Sequence, residues 1–309
     1  MRIAIIGAGA MGCLYGGYLC NSGQDVVLID HRQATIEQIN QIGVQIDESD
    51  CTLVVRPLAV LSGEYAGTAD LVVILVKTTA TSAALAEIDS LLGADTMVMT
   101  LQNGFGNAEQ LAAVLPPERI IVGTTAQGSE LIDAGHIRHT GRGLTAIGAF
   151  GGLADDQVNA VAQLLTDAGF ETKVESDVMR LVWQKLFANV GINAITALLG
   201  LTNGAIIERA DTLKLMKDLV FEAVAVAASQ GYVFEPEEIY QHCLNIAART
   251  AANRSSMLQD VSRGRMTEIR QMNGIIADLG EQSDIPVRSN REITRQILVL
   301  ENNAAKPPD

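Results

Sequence analysis

Three side chains in the segment "VWQKLFANVGINA" (182–194) carry chemistry that their neighbours do not: Lys185, Asn189 and Asn193, spaced four residues apart. At about 100° per residue, such positions drift only about 80° in total, so all three share one helix face over about 12 Å. Trp183, Leu186, Phe187, Val190 and Ile192 take much of the remainder. A buried ammonium without a partner is expensive, and each asparagine needs several hydrogen bonds, so the stripe meets either water or a polar cleft. Solvated faces are usually built from Glu, Lys and Arg, whereas asparagine is a poor helix former, which favours the cleft. An ammonium lining such a cleft can stabilise negative charge developing on an oxygen and then neutralise it.

A second polar cluster, "NRSSMLQDVSRGRMTEI" (253–269), brings Asn253, Ser255 and Ser256 before one helical stretch and Glu268 near the start of another. Taken alone, these residues make a helix cap and a surface carboxylate. The amino-terminal end is more explicit. "GAGAMG" (7–12) is a G-x-G-x-x-G motif set between a predicted strand and a helix starting near Met11. In that context Gly7 makes the tight turn, Gly9 lets a pyrophosphate approach the backbone and Gly12 lets helix and strand pack. Ala8, Ala10 and Met11 complete the loop, whose helix N-terminus stabilises phosphate charge. The next strand ends in "LIDHR", so Asp30 stands where an acidic residue accepts the adenosine ribose hydroxyls and favours NAD. His31 and Arg32 follow, and an arginine there can pair with a 2′-phosphate if Asp30 turns away, so NADP stays open. Lys77 and the pair Asn103-Gly104 also close strands, at the end of the sheet where ligands of doubly wound folds lie. As plain alternatives, Lys77 is a solvated strand terminator and Asn-Gly an ordinary turn.

Stepping outward to the elements that position these groups, the first half alternates short apolar runs with helix-sized segments. Strands are predicted at 2–7, 25–30, 71–77, 97–102 and 119–124. Unbroken apolar runs of this kind belong to a parallel sheet covered on both faces. "HIRHTG", "LTAIGAF" and "FETKVE" are expected to finish that sheet. Beyond Asp177 the periodicity is helical, over roughly 178–199, 204–230, 236–252, 265–282 and 289–302. The expectation is an α/β Rossmann-type doubly wound sheet over 1–175 followed by an all-α domain over 176–309.

Composition narrows the function classes. With 309 residues the chain can hold two domains, and 48% hydrophobic against 19% charged residues is ordinary for a globular protein, with no polar tail beyond "NNAAKPPD". A net charge of −14 and no basic patch argue against nucleic acid and anionic lipid as partners. Cys13, Cys20, Cys51 and Cys243 form no C-x-x-C pair, which points to reduced thiols and no metal. No apolar run approaches the ~18 to 20 residues of a membrane span, and the first strand begins at Arg2, so a cytoplasmic protein is expected. The apolar helix around "LVFEAVAVAAS" suits either core or a homodimer interface.

These motifs, in order, resemble the ketopantoate reductase (2-dehydropantoate 2-reductase) family: "GAGAMG", the strand-ending Lys77, "LQNG" (101–104), "WQKLFANVGINAIT" (183–196), "SSMLQD" (255–260) and "TEI" (267–269). The resemblance implies a Rossmann domain, a helical domain and reduction of a 2-keto acid by a nicotinamide cofactor. It makes Lys185 the proton donor to the substrate C2 oxygen and Glu268 its partner, with Glu268 also beside the cofactor. Asn189, Asn193 and Ser256 would bind the substrate, with Asn253 in the same group. Asn103 would contact cofactor and substrate, and Lys77 would sit beside them. Two departures matter: His31 stands where many members carry the arginine for the NADP 2′-phosphate, and "TTAT" after Lys77 lacks a glutamine found in some. Asp30 thus favours NAD while the resemblance favours NADP, and an NAD-dependent D-2-hydroxyacid dehydrogenase for other C3-branched 2-keto acids is the alternative. The 3-hydroxyacid dehydrogenase group would show Ser-Gly-Gly where this chain has "GTTAQGSE". A redox-sensing module that only binds dinucleotide would need no proton donor such as Lys185.

Overall fold

The computed structural model describes residues 1–152 and 155–304, which fall into two compact units, 1–102 with 107–152 and 155–179, and 103–106 with 180–304. The polar end read as a tail lies, from 305 onward, outside the described residues.

The first unit runs β1 (Arg2–Ile6), α1 (Ala10–Asn21), β2 (Asp25–Asp30), α2 (Gln33–Ile42), β3 (Val44–Asp47), β4 (Thr52–Val55), β5 (Leu58–Leu61) and β6 (Ala69–Ile74). It continues through α3 (Thr81–Leu85), β7 (Leu92–Thr100), α4 (Asn107–Ala112), β8 (Ile120–Thr125), β9 (Gly128–Asp133), β10 (His136–Gly141), β11 (Thr145–Ala149), α5 (Asp155–Asp167) and β12 (Thr172–Val174). Eight strands form the main sheet in the order β12-β11-β8-β7-β6-β1-β2-β5. All its pairings are parallel except β8 with β11. Central β1 registers Ile5 against Leu28 on β2 and Val73 on β6. Ile3, Ile5, Leu28, Leu71 and Val73 are fully buried because the sheet is covered on both faces, each contributing roughly 1.5–3 kcal/mol. Chain order reverses at β1, with β2 on one side and β6 on the other, which is where such sheets open a crevice at their carboxyl ends.

One expectation needs correction. "HIRHTG" does not finish the main sheet; as β10 it belongs to a separate four-stranded sheet, β4-β3-β10-β9. Its burial pattern explains this: Ile137 is buried while Arg138 is exposed, the alternation of a sheet with one wet face. The dry face covers α1, so closely that a Cβ on Gly17 would lie 2.6 Å from Ile46 Cδ1.

The second unit contains α6 (Val178–Leu199), α7 (Ala210–Ser229), α8 (Pro236–Arg249), α9 (Ser256–Ser262), α10 (Asn273–Gln282) and α11 (Arg288–Ala304). α6 is buried nearly all round, with Trp183, Phe187, Val190 and Ile195 at 0% exposure, as befits a central helix. Trp183 packs at a tilt against Phe105, 4.5 Å between centroids, and against Phe187 at 5.8 Å. Gly191 lets α7 approach: a Cβ there would meet Val220 Cγ2 at 2.9 Å. A buried polar bridge fixes α10 to α6, Asn273 Nδ2 donating to the Val190 carbonyl (3.2 Å) and to Asn290 Oδ1 (3.0 Å). Asn290 Nδ2 in turn donates to Glu222 Oε2 on α7 at 2.8 Å. Among the described residues no helix is long and apolar enough to cross a membrane, and no group of three or more His, Cys, Asp or Glu could hold a metal ion.

Candidate active site

In the first unit the glycine loop has the geometry its spacing predicts. Gly7 adopts φ +105°, a left-handed conformation that glycine reaches without cost. A Cβ on Gly12 would sit 1.7 Å from the Gly7 carbonyl, so the start of α1 packs directly on the turn. Around Gly9 no atom would lie within 4 Å of an added Cβ, leaving open space for a phosphate to reach the backbone between Ala8 and Ala10. Met11 follows within the first turn of α1. A cleft opens beside this loop, lined by Gly7, Ile29, Asp30, His31, Ser62 and Ala84. These features fit a dinucleotide.

Asp30 is buried and heavily engaged. Its Oδ2 accepts the Ala8 N–H at 2.9 Å and Arg32 Nη2 at 2.9 Å, while Oδ1 accepts Arg32 Nε at 2.8 Å and the Arg32 N–H at 3.0 Å. Burial works to raise its pKa, but the Arg32 guanidinium and the two backbone N–H groups win and hold it below the ordinary carboxylate value. The aspartate thus ties the glycine loop to the end of β2, a link the sequence pattern did not show. His31 is exposed, its Nδ1 3.6 Å from Asp30 Oδ1. Lys77 is exposed just past β6, where its carbonyl accepts the Ala80 N–H at 2.8 Å.

The second unit gathers the other group. Lys185 and Asn189 are half-buried on α6 and Asn193 is 8% exposed, its Nδ2 3.7 Å from Met272 Sδ. Glu268 lies in the irregular approach to a short 3₁₀ turn (Ile269–Gln271), 83 residues along the chain from Lys185, yet its charge acts on the Lys185 ammonium. Burial pushes Lys185 down to about 8, and Glu268 opposes that shift. Asn103 joins from a third segment, its Nδ2 donating to Glu268 Oε2 at 3.3 Å. Gly104 makes that approach feasible: its φ is +85°, and a Cβ would come within 2.4 Å of the Gln271 carbonyl. The Phe105 N–H donates to that same carbonyl at 3.1 Å.

Ser255, not Ser256, caps α9: its buried Oγ accepts the Leu258 N–H at 3.1 Å and lies 2.7 Å from Thr196 Oγ1. Thr196 is three residues beyond Asn193, so the start of α9 sits at the carboxyl end of the polar stripe. Ser256, the first residue of α9, is exposed, as is Asn253, whose carbonyl accepts the Asn203 N–H at 3.0 Å. Lys185, Glu268 and Asn103 therefore converge and Asn189 and Asn193 extend the same face, whereas Asn253 and Ser256 lie exposed around the start of α9 and are not brought onto it.

Known proteins match both units. The family model described as ketopantoate reductase PanE/ApbA covers residues 3–152, and its C-terminal companion covers 177–301. A Halobacterium salinarum 2-dehydropantoate 2-reductase is 36% identical over 93% of this chain and 94% of its own. An Archaeoglobus fulgidus protein of the same name is 32% identical over 97% and 98%. Among solved structures, a ternary complex of D-mandelate dehydrogenase with NADH and anilino(oxo)acetate superposes with TM-score 0.95 at 26% identity, covering 99% of this chain and 100% of that one. A Ralstonia eutropha PanE/ApbA family ketopantoate reductase gives TM-score 0.91 at 30% identity, over 99% and 100%.

Proposed function

Because this chain belongs to the ketopantoate reductase family, oxidoreductases that act on a 2-keto acid with a nicotinamide cofactor, we propose that it reduces 2-dehydropantoate to D-pantoate, with Lys185 as proton donor. The observation that carries the residue assignment is the convergence of Lys185, Glu268 and Asn103 from three distant segments. A bound dinucleotide would supply the hydride to the keto carbon. The backbone of Gly7, Ala8, Gly9, Ala10, Met11 and Gly12 would hold its pyrophosphate, and Asp30 with His31 and Arg32 would meet its adenosine ribose.

Lys185 then does two things. As an ammonium it stabilises the oxygen that gains charge, and by releasing its proton it turns that oxygen into the product hydroxyl. Burial brings its pKa to about 8, close enough to a working pH for the proton to be given and regained. Glu268 keeps the protonated form populated and holds the amide of Asn103. Asn189 and Asn193, on the same helix face, offer N–H donors to the substrate carboxylate and hydroxyl. Reduction requires protonated Lys185, so activity is highest well below pH 8 and falls as the pH rises through about 8. A pH–rate profile checks this.

Asp30 supports NAD as the preferred cofactor. A ribose diol would exchange its hydroxyls for the two guanidinium bonds that Arg32 now makes, whereas a 2′-phosphate would face the carboxylate. The same residue and the NADH-bound mandelate dehydrogenase neighbour favour, as a second reading, an NAD-dependent D-2-hydroxyacid dehydrogenase for other C3-branched 2-keto acids. An initial-rate panel of 2-keto acids against NADH and NADPH separates the two. The highest kcat/KM with 2-dehydropantoate is expected; a bulkier 2-keto acid ahead by tenfold or more would move the assignment to the second reading.

A further inference from the structure

We infer that Glu301, in the last turn of α11, is a positioning residue for Glu268 and acts on it through Thr267. The inference rests on the catalytic reading of Glu268 given above. Glu268 sits at φ −96° and ψ 24°, in the sparsely allowed bridge region, outside any α-helix. Residues 263–266 before it are exposed and belong to no helix or strand, so nothing regular leads into the carboxylate.

What holds the backbone there is Glu301. Its Oε1 accepts both the Thr267 N–H, at 2.7 Å, and the Thr267 hydroxyl, at 2.5 Å. The same hydroxyl oxygen accepts the Ile269 N–H at 3.1 Å. Both chain neighbours of Glu268 are thus fixed, one by Glu301 directly and the other through Thr267, which is itself 2% exposed. Bonds to a carboxylate are short and strong relative to neutral ones, and these two have that character. Glu301 also stands at the carboxyl end of a helix, where the helix dipole disfavours an acidic side chain. The two bonds from Thr267 offset that placement, so the contact is not an incidental surface pairing.

A plain structural tie and a positioning role differ in what they move. A tie that only secures α11 would lower Tm and leave the turnover of the folded enzyme alone. Positioning ties Glu301 to the carboxylate that opposes the burial-driven shift of Lys185, so its loss lowers kcat and moves the alkaline limb of the pH–rate profile to lower pH.

The test uses the full chain with saturating reduced cofactor and the best 2-keto acid of the panel. Glu301→Ala is expected to lower kcat about tenfold or more and to shift the alkaline limb down, with cofactor KM little changed. Glu301→Gln, whose amide oxygen can accept both Thr267 donors, is expected within about threefold of wild type. Thr267→Val should behave like Glu301→Ala and Thr267→Ser like wild type, and this pair decides the matter if Glu301→Ala does not fold. A Glu301→Ala enzyme with kcat within about twofold and an unmoved profile overturns the inference, as does a Glu301→Gln enzyme as impaired as the alanine variant. Glu268→Gln measured alongside separates the two levels. If it is impaired while Glu301→Ala is not, only the positioning role falls; if it turns over at the wild-type rate, the catalytic reading falls first.

Discussion

The two candidate sites are built in opposite ways. The glycine loop over 7–12 is a backbone device: its contributions come from φ at Gly7, the missing Cβ at Gly12 and the open space around Gly9. The group around Lys185 is a side-chain device assembled from positions 103, 185 and 268, with 267 and 301 behind them. A backbone site is specified by neighbours in sequence and tolerates little substitution of its glycines. A side-chain site depends on tertiary packing, which brings its members together from distant segments.

That contrast orders the expected effects. Among partners of Lys185, Glu268→Ala should cost the most, about 10² in kcat, well beyond its effect on cofactor affinity, as steady-state kinetics and cofactor titration would show. Gly12→Ala should do the reverse. Its Cβ would overlap the Gly7 carbonyl, so dinucleotide Kd measured by calorimetry should rise at least about tenfold, with a loss of Tm. An equal effect of both substitutions on binding would erase the distinction between the regions. Next comes cofactor choice: Asp30 predicts kcat/KM for NADH several-fold above that for NADPH, and a strong NADPH preference would reject its assigned role.

The remaining effect is on stability. Lys185 has its pKa lowered from 10.5 to about 8 in the folded chain. Between those values the unfolded chain binds more protons, so stability rises with pH across that window, and below it the buried charge is a standing cost. Lys185→Met should therefore raise stability at neutral pH by roughly 1–3 kcal/mol, a figure discounted for the partial exposure of the side chain. Thermal unfolding of the two proteins at pH 7 checks the sign; a lower Tm for the variant would mean that the ammonium is better compensated than its surroundings indicate.

How far the sequence could be read follows from the same division. β1, the glycine loop, α1 and β2 were legible because each carries its signal locally: a fully apolar run, spaced glycines, a helical stretch, a second run ending in Asp30. The short strands over 44–61 were not, since β4 and β5 are four residues each, half-exposed and separated by Pro57. The helix expected across 265–282 starts only at Asn273 as α10, because Gly264 turns with φ +62° and the chain then runs irregularly to Glu268. α9 announces itself through its cap, Ser255, but seven residues carry too little periodicity to fix its extent. In the site, the stripe on α6 was readable as a conflict between polar residues and an apolar helix. The tie from Glu301 to Thr267 was not, because a glutamate in the last turn of a helix has no spacing that marks its distant partner.

The most direct test of the central claim is kcat for Lys185→Ala with saturating cofactor and 2-dehydropantoate, paired with a cofactor titration of the same protein. The account predicts a fall of about 10² to 10⁴ in kcat with cofactor affinity retained. A kcat within about threefold of wild type, under ~0.7 kcal/mol of barrier, would contradict it.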